Sequence, residues 1–375
     1  RGAKNGLVLP GQTARSRPGK RPSLTPIHPL DDEWGHLFSL TPQNVSARNY
    51  LVVVEMDQRK EEMEAWLRDH TSFSAERLEL ASADASFRRY FRLWEQGKTW
   101  IVMDAPPELE PCEPFVRIGA YMQEHDINVP KIITYDLKRG FMILSDFGDV
   151  HYHDLLDGTD REDLYDLAIS EILSFQCKLS DFAETLPSFD REWQLKELDI
   201  FREWCLPGIE KTEYEQVVAP LADAIESIPK SFMHRDFHCR NLLVPSPDSI
   251  GVIDFQGAML GPVTYDLVSL LRDCYVENDE DWITEEVSSF QQALEQSRKS
   301  IPEMSDEDFL RWFDLTGLQR HLKCIGIFHR LKIRDGKESY LKDVPRVKKY
   351  VETVLDRYPE LLGIQKLYEQ AQMLA

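Results

Sequence analysis

His234-Arg235-Asp236-Phe237-His238-Cys239-Arg240-Asn241 runs straight into the apolar triplet Leu242-Leu243-Val244. Ten residues on, Gly251-Val252-Ile253 ends on Asp254, Phe255 and Gln256. Two short apolar strands this close pair antiparallel. The pairing brings Asn241, before the first strand, beside Asp254, after the second. Carboxylate and amide oxygens suit Mg²⁺, a hard cation that keeps much of its water and binds phosphates. Asp236, five residues before Asn241 on the same polar loop, is left to accept a proton from a hydroxyl. Metal-bound phosphate and an oriented nucleophile are what phosphoryl transfer requires.

The parts and their order match the kinase pattern HRDxxxxN followed by DFG, with Gln256 and then Gly257 after Phe255. His234 is expected to support the loop and the metal aspartate rather than act as a base. His238 is a substrate contact or a loop strut. Asp266, just after the metal strand where a helix begins, is expected to cap backbone amides. The bland alternative is a catalytic loop of this shape that has lost its activity.

The surroundings of this segment predict two lobes. Residues 78–144 are mostly strand-like, with strands at 87–93, 99–103, 131–135 and 141–144 and one helix at 113–125. That pattern predicts an antiparallel sheet covered on one side. After Gly148 helical periodicity takes over, beginning with Leu164, Ala168, Ile172, Phe175 and Leu179. Further helices are expected at 192–205, 213–227, 263–275, 279–299, 305–332, 343–356 and 360–373. The fold class is α+β. Residues 56–144 form a β-rich nucleotide-binding lobe, and 145–375 a helical catalytic and substrate-binding lobe.

Residues 1–55 stand apart. They hold 7 Lys/Arg against 4 Asp/Glu, a charge of +3, which leaves −24 for the rest of a chain of −21. Met56 opens a helical pattern through Met63, Trp66 and Leu67, so it reads as the natural start. The first 55 residues then form a disordered or non-native extension without catalytic role. The rival reading is a basic arm that binds a partner.

The overall acidity excludes a whole-chain basic footprint for nucleic acid. No apolar run reaches the roughly 18–20 residues of a membrane span. The six cysteines are scattered, with no CxxC pair and no metal-type spacing, as expected of reduced thiols in a cytoplasmic protein. The expected partners are ATP and a small molecule, with a monomer as the expected state.

Longer stretches narrow the reading. With its catalytic motif, the chain resembles the aminoglycoside-phosphotransferase-like superfamily of small-molecule kinases, which have the protein-kinase fold. Gly251-Val252-Ile253-Asp254-Phe255-Gln256 and Gly261-Pro262-Val263-Thr264-Tyr265-Asp266-Leu267 look like one branch of it. Residues 268–275, 317–323, 326–328, 334–336, 84–92 and 102–107 look like the same branch. It comprises bacterial kinases of the anomeric hydroxyl of N-acetylmuramate and N-acetylglucosamine, and the resemblance covers roughly 56–375. It implies Asp236 as catalytic base, Asn241 and Asp254 as Mg²⁺ ligands, and ATP between the lobes. The adenine base would meet the connector of Leu144, Ser145, Asp146, Phe147 and Gly148. The implied reaction converts the amino sugar to its 1-phosphate, serving peptidoglycan recycling.

Two departures from the kinase pattern concern the small lobe. There is no GxGxxG, so Ser86, Phe87 and their neighbours must cover the phosphates. Residues 100–104 also lack the lysine that holds the α and β phosphates; Met103 or Asp104 stands in its place. Arg88 or Arg89 can supply that charge, since guanidinium binds phosphate well. Otherwise Arg88, Arg89 and Arg92 alternate onto a solvent face. Candidate sugar contacts are His238, Gln256, Arg272, Asp273, Arg320 and His321, and an arginine would suit the lactyl carboxylate of N-acetylmuramate. The alternatives are a kinase of aminoglycosides or other cationic small molecules, a non-catalytic nucleotide-binding pseudokinase, and a protein kinase. The missing lysine and the lack of an APE-type segment argue against the last.

Overall fold

The computed structural model describes residues 45–73, 77–83, 87–297 and 301–374, all within one compact unit, Pro42–Ala375. Most of the extension expected at 1–55 and the phosphate-loop residue Ser86 lie outside the described residues. Helix α1 spans Val45–His70, so the helical pattern expected after Met56 belongs to a helix that begins earlier. Neither Pro nor Gly interrupts it anywhere along its length.

The small lobe is a five-stranded antiparallel sheet of β1 (Arg77–Ala83), β2 (Arg89–Glu95), β3 (Lys98–Asp104), β4 (Ile132–Asp136) and β5 (Phe141–Ser145). Their order is β1-β2-β3-β5-β4. Helix α2 (Glu113–Glu124) is inserted between β3 and β4. Contrary to the expectation of one covered side, both faces are packed. Strand alternation separates them. Phe91, Leu93, Val102, Phe141 and Ile143 meet Met63, Trp66 and Leu67 of α1. Met103, Met142 and Leu144 join the main core with Phe115, Ile118 and Met122 of α2. The second cover comes from α1, which the sequence placed before the lobe without indicating where it packs.

The large lobe is helical. Helices α3 (Tyr152–Leu155), α4 (Arg161–Lys178), α5 (Ser180–Ala183), α6 (Arg191–Cys205) and α7 (Lys211–Glu226) precede four short strands. These are β6 (Lys230–Met233), β7 (Leu242–Ser246), β8 (Ser249–Val252) and β9 (Met259–Pro262). Then follow α8 (Tyr265–Leu271), α9 (Glu280–Ser297), α10 (Asp306–Asp335), α11 (Val344–Arg357) and α12 (Leu362–Leu374). β7 and β8 form the expected antiparallel hairpin, while β6 pairs with β9. The sequence analysis did not anticipate β6 and β9. Four-residue segments without alternation do not distinguish strand from helix. Helix α8 is shorter than expected, because the turn after β9 takes Val263 and Thr264 and Arg272 ends it.

Helix α10 runs through the centre of this lobe and is buried nearly all round from Phe313 to Gly326. At Gly326 its backbone lies against α6; a Cβ there would fall 2.7 Å from the Ile200 carbonyl oxygen. A similar close approach joins the lobes. A Cβ on Gly119 of α2 would stand 3.0 Å from the Phe255 ring, which packs 4.6 Å from Phe115. Asn128, after α2, stitches the same junction. Its Nδ2 donates to Ile250 O at 2.9 Å and its carbonyl accepts from Val252 N at 2.9 Å. The segment carrying Asp254 is thus held against the small lobe.

Candidate functional site

The loop after β6 is shaped by its own backbone and by two buried carboxylates. His238 N and Asn241 Nδ2 both donate to the Asp236 carbonyl, at 3.0 and 2.9 Å. Arg235 adopts φ +82°, a left-handed conformation that costs a non-glycine residue on the order of 1–3 kcal/mol. Asp266, on α8, holds it there. The Oδ2 of Asp266 accepts from His234 N at 2.7 Å, and its Oδ1 from Arg235 N at 2.9 Å. Asp266 does cap amides, as expected, but those of the catalytic loop rather than of its own helix. Burial pushes its carboxyl up to about 7 against the pull of those two amides. Asp273 repeats the arrangement, with Oδ2 accepting from Cys239 N at 2.8 Å.

His234 is buried, and burial lowers its imidazole to about 4, so the ring is neutral at ordinary pH. Its Nε2 donates to Ile253 O at 3.1 Å. The hairpin adds Ile253 N to Asn241 O at 3.1 Å. Asn241 and Asp254 are therefore neighbours, as the strand spacing predicts. Asp254 takes the left-handed conformation at φ +65°. Its carboxylate is 40% exposed and accepts from Gln256 Nε2 at 2.6 Å.

Asp236 is half-buried, and among the described residues its carboxylate oxygens have no hydrogen-bond partner. Burial pushes its pKa up, but the charges of Lys323 and Arg235, with Arg320, pull it down to about 2. The group is ionised and its lone pairs are open to a substrate hydroxyl.

Two of the cations around Asp236, Arg235 and Lys323, are held by Glu197 of α6. Buried Glu197 accepts from Arg235 at 2.6 Å, Gln319 at 3.2 Å and Lys323 at 3.4 Å. Burial raises its carboxyl, and Lys323 and Arg235 bring it down to about 2. Lys323 also donates to Tyr265 Oη at 3.0 Å. Arg320 donates to Cys274 Sγ at 3.5 Å, while its buried Nε has no partner among the described residues. His238 sets its ring edge-on to Tyr275 and is kept neutral by burial, with Nδ1 buried and without a partner among the described residues. The sequence reading missed Glu197, Lys323 and Arg235, and it offered Asp273 as a sugar contact rather than as the acceptor of the Cys239 amide. Gln319 and Lys323 share one face of α10 by their i, i+4 spacing, but nothing local ties that face to Glu197.

Two of the expected sugar contacts lie elsewhere. Arg272 has no exposed side-chain surface and is paired with Glu280 and with Asp314, the latter at 2.8 Å. Asp314 also binds Arg357 at 2.6 Å and Tyr358 Oη at 2.9 Å. His321 donates through Nε2 to Arg272 O at 2.9 Å. Both residues join α8, α10 and α11 together rather than reaching Asp236. Helical periodicity places them on buried faces without saying which neighbour each face meets.

In the small lobe, Arg89 is on the α1 face. It shares buried Asp104 with Arg59, through Arg89 Nε at 2.9 Å and Arg59 Nε at 3.0 Å. Arg88 is in neither that cluster nor solvent. It pairs with Glu110 at 2.7 Å and lies 3.9 Å from Asp254. Phe87 is partly exposed, and its amide donates to Glu110 Oε1 at 3.3 Å. Leu144 is buried on β5. The Asp146 carboxylate accepts from Arg92 at 2.6 and 3.1 Å and from Gly148 N at 2.9 Å, which stiffens the connector.

The donor set suits a small hard cation. Asn241 uses its Nδ2 internally and keeps its oxygen, beside the half-open Asp254 carboxylate. Among the described residues no group of three His, Cys, Asp or Glu could hold a metal. Two protein oxygens with water and phosphate completing the shell is the Mg²⁺ manner of binding. No described helix is long and apolar enough to cross a membrane.

Residues 77–306 match the family described as "Phosphotransferase enzyme family". The N-acetylmuramate/N-acetylglucosamine kinase of Pseudomonas aeruginosa is 40% identical over 296 residues, covering 76% of this chain and 86% of that protein. The protein of the same name from Pseudomonas putida is 38% identical, with coverage of 85% and 98%. Among solved structures, ADP-bound aminoglycoside phosphotransferase APH(2'')-Ib superposes with a TM-score of 0.53 at 13% identity. That match covers 78% of this chain and 98% of the other, a likeness of fold.

Proposed function

This chain belongs to the phosphotransferase enzyme family, and from that premise we propose that it phosphorylates the anomeric hydroxyl of N-acetylmuramate and N-acetylglucosamine with ATP. The observation that carries the reading is the ionised Asp236 carboxylate, without a hydrogen-bond partner among the described residues, on the loop that Asn241 joins to the segment of Asp254. Relatives of that activity match most of the chain at 38–40% identity.

Asp236 accepts the hydrogen bond of the sugar hydroxyl and aims its oxygen at the γ-phosphorus. As the new O–P bond forms and the bond to the ADP oxygen breaks, the hydroxyl proton passes to Asp236. A carboxylate with a pKa near 2 is a weak base, so its main contribution is orientation, as expected for a loose transition state. Asn241 Oδ1 and Asp254 would hold Mg²⁺, which when bound neutralises phosphate charge. His234 and Asp266 keep the loop in register. Leu144 and the backbone at Asp146 would border the adenine, and Ser86, Phe87 and Arg88 the phosphates. His238, Gln256 and Arg320 are the sugar contacts we propose; Arg272 and His321 support them through packing. The free thiols suit a reducing cytoplasm, where salvaged cell-wall sugars would be the substrates.

The cations around Asp236 favour this reading over a kinase of cationic aminoglycosides, whose ammonium groups Arg320, Lys323 and Arg235 would repel. Phosphorus NMR with ATP, Mg²⁺ and each of N-acetylmuramate, N-acetylglucosamine and kanamycin tests it. A sugar 1-phosphate resonance coupled to the anomeric proton is expected. Phosphorylation of kanamycin alone would overturn the substrate assignment and leave the phosphotransferase.

A further inference from the structure

A phosphotransferase site of this kind needs a fixed cation on the α and β phosphates of the nucleotide, normally a β3 lysine that an acidic residue of the following helix holds in place. Strand β3 cannot supply it here. Met103 faces α2 from within the apolar core, and Asp104 faces α1, where Arg59 and Arg89 neutralise it. Arg92, which shares the α2 face by strand alternation, is held by Asp146 and Asp149 of the connector.

Arg88 is placed differently. It lies just before β2, at the end of the chain segment that joins β1 to β2. Its side chain is only 12% exposed although it belongs to no apolar core. One edge of the guanidinium, Nη2, sits 2.7 Å from Glu110 Oε2, in the approach to α2. The other edge, Nη1, points across the cleft to Asp254 Oδ1 at 3.9 Å. Glu110 is itself 13% exposed and also takes the Phe87 amide at 3.3 Å. A single carboxylate therefore sets both the charge and the backbone beside it.

We infer that Arg88, positioned by Glu110, is the phosphate clamp of this protein and replaces the strand lysine. The inference rests on the reading of the cleft as an ATP site. The two edges of the guanidinium divide the work. Nη2 stays on Glu110 whether or not nucleotide is bound. Nη1, 3.9 Å from Asp254 Oδ1 on the metal side of the cleft, meets the phosphate oxygens when nucleotide binds. A planar guanidinium with two separately usable edges can do this, where an ammonium offers one point charge. Glu110 is a positioning residue, and Arg88 is the one that touches the nucleotide.

The test is calorimetric binding of ADP and of adenosine, each with Mg²⁺, to the full chain and to Arg88→Ala, Arg88→Lys and Glu110→Gln. For Arg88→Ala, ADP affinity is expected to fall about 10-fold or more, the range of a charged hydrogen bond, with adenosine affinity unchanged. Arg88→Lys should recover part of the loss, and Glu110→Gln should weaken ADP less than Arg88→Ala does. ADP binding by Arg88→Ala within about twofold of the parent would overturn the clamp and leave the kinase reading standing. An equal loss for adenosine and ADP would also overturn it, since the defect would not lie at the phosphates. A parent protein that binds neither ligand would remove the ATP site itself, and the clamp with it.

Discussion

The imidazole of His234 donates through Nε2 to the carbonyl oxygen of Ile253 at 3.1 Å, tying the loop of Asp236 to the residue just before Asp254. One neutral ring thus sets the distance between the two segments that carry Asp236 and Asp254. Burial keeps the ring neutral, and the carbonyl acceptor fixes its proton on Nε2.

That burial makes His234 a source of acid lability. Its pKa falls from 6.5 in the unfolded chain to about 4 in the fold, so below pH 6.5 the unfolded state binds the extra proton. Stability is complete above pH 6.5 and is lost as pH falls towards 4, by about 3 kcal/mol from this group. Urea titrations of the parent and of His234→Gln across that window should show a flatter pH dependence in the variant.

Asp236→Asn should keep the fold and bind ADP like the parent, because among the described residues the carboxylate has no internal hydrogen bond to lose. Turnover should fall about 10²–10⁴-fold, the usual worth of a positioned base. Steady-state kinetics alongside ADP calorimetry would check it, and near-normal turnover would remove Asp236 from its role.

Glu197→Gln leaves Arg235 and Lys323 buried without their anion. Removing one partner of a buried pair costs about 3–5 kcal/mol, so chemical denaturation should show a loss of that size. The parent's own contribution from Glu197 is present above pH 4.5 and disappears as pH falls through about 2.

Arg272→Met tests whether this arginine contacts the sugar. With Arg272 buried against Asp314 and Glu280, the variant should lose about 3 kcal/mol of stability in denaturation. Its KM for N-acetylmuramate should stay within about twofold of the parent, whereas a rise of tenfold or more would place Arg272 at the sugar.

Much of the site was legible because its signals are local. The interval from Asp236 to Asn241 is fixed by one loop, and that from Asn241 to Asp254 by one hairpin. Strand or helix character was plain wherever periodicity ran long enough, as in α4, α6, α9, α10 and α11. It was not plain for β6 and β9, whose four residues each are too few to carry a period. Nor could Arg88, Arg89 and Arg92 be told apart in sequence. Strand alternation sends Arg89 to Asp104 under α1, while Arg92 goes to the connector and Arg88 to Glu110 and the cleft.

By itself the sequence determined the chemistry available: an acceptor carboxylate, an amide and a second carboxylate at intervals that a loop and a hairpin convert directly into proximity. Only the tertiary structure decided which distant charges act on them. Glu197 meets Arg235 and Lys323 because α6 crosses α10 at Gly326, and Asp266 reaches the catalytic loop because α8 starts beneath it. Such partners lie tens of residues apart and are joined by packing rather than by spacing. Desolvation in that packing then sets their charge, leaving His234 neutral and Asp236 ionised.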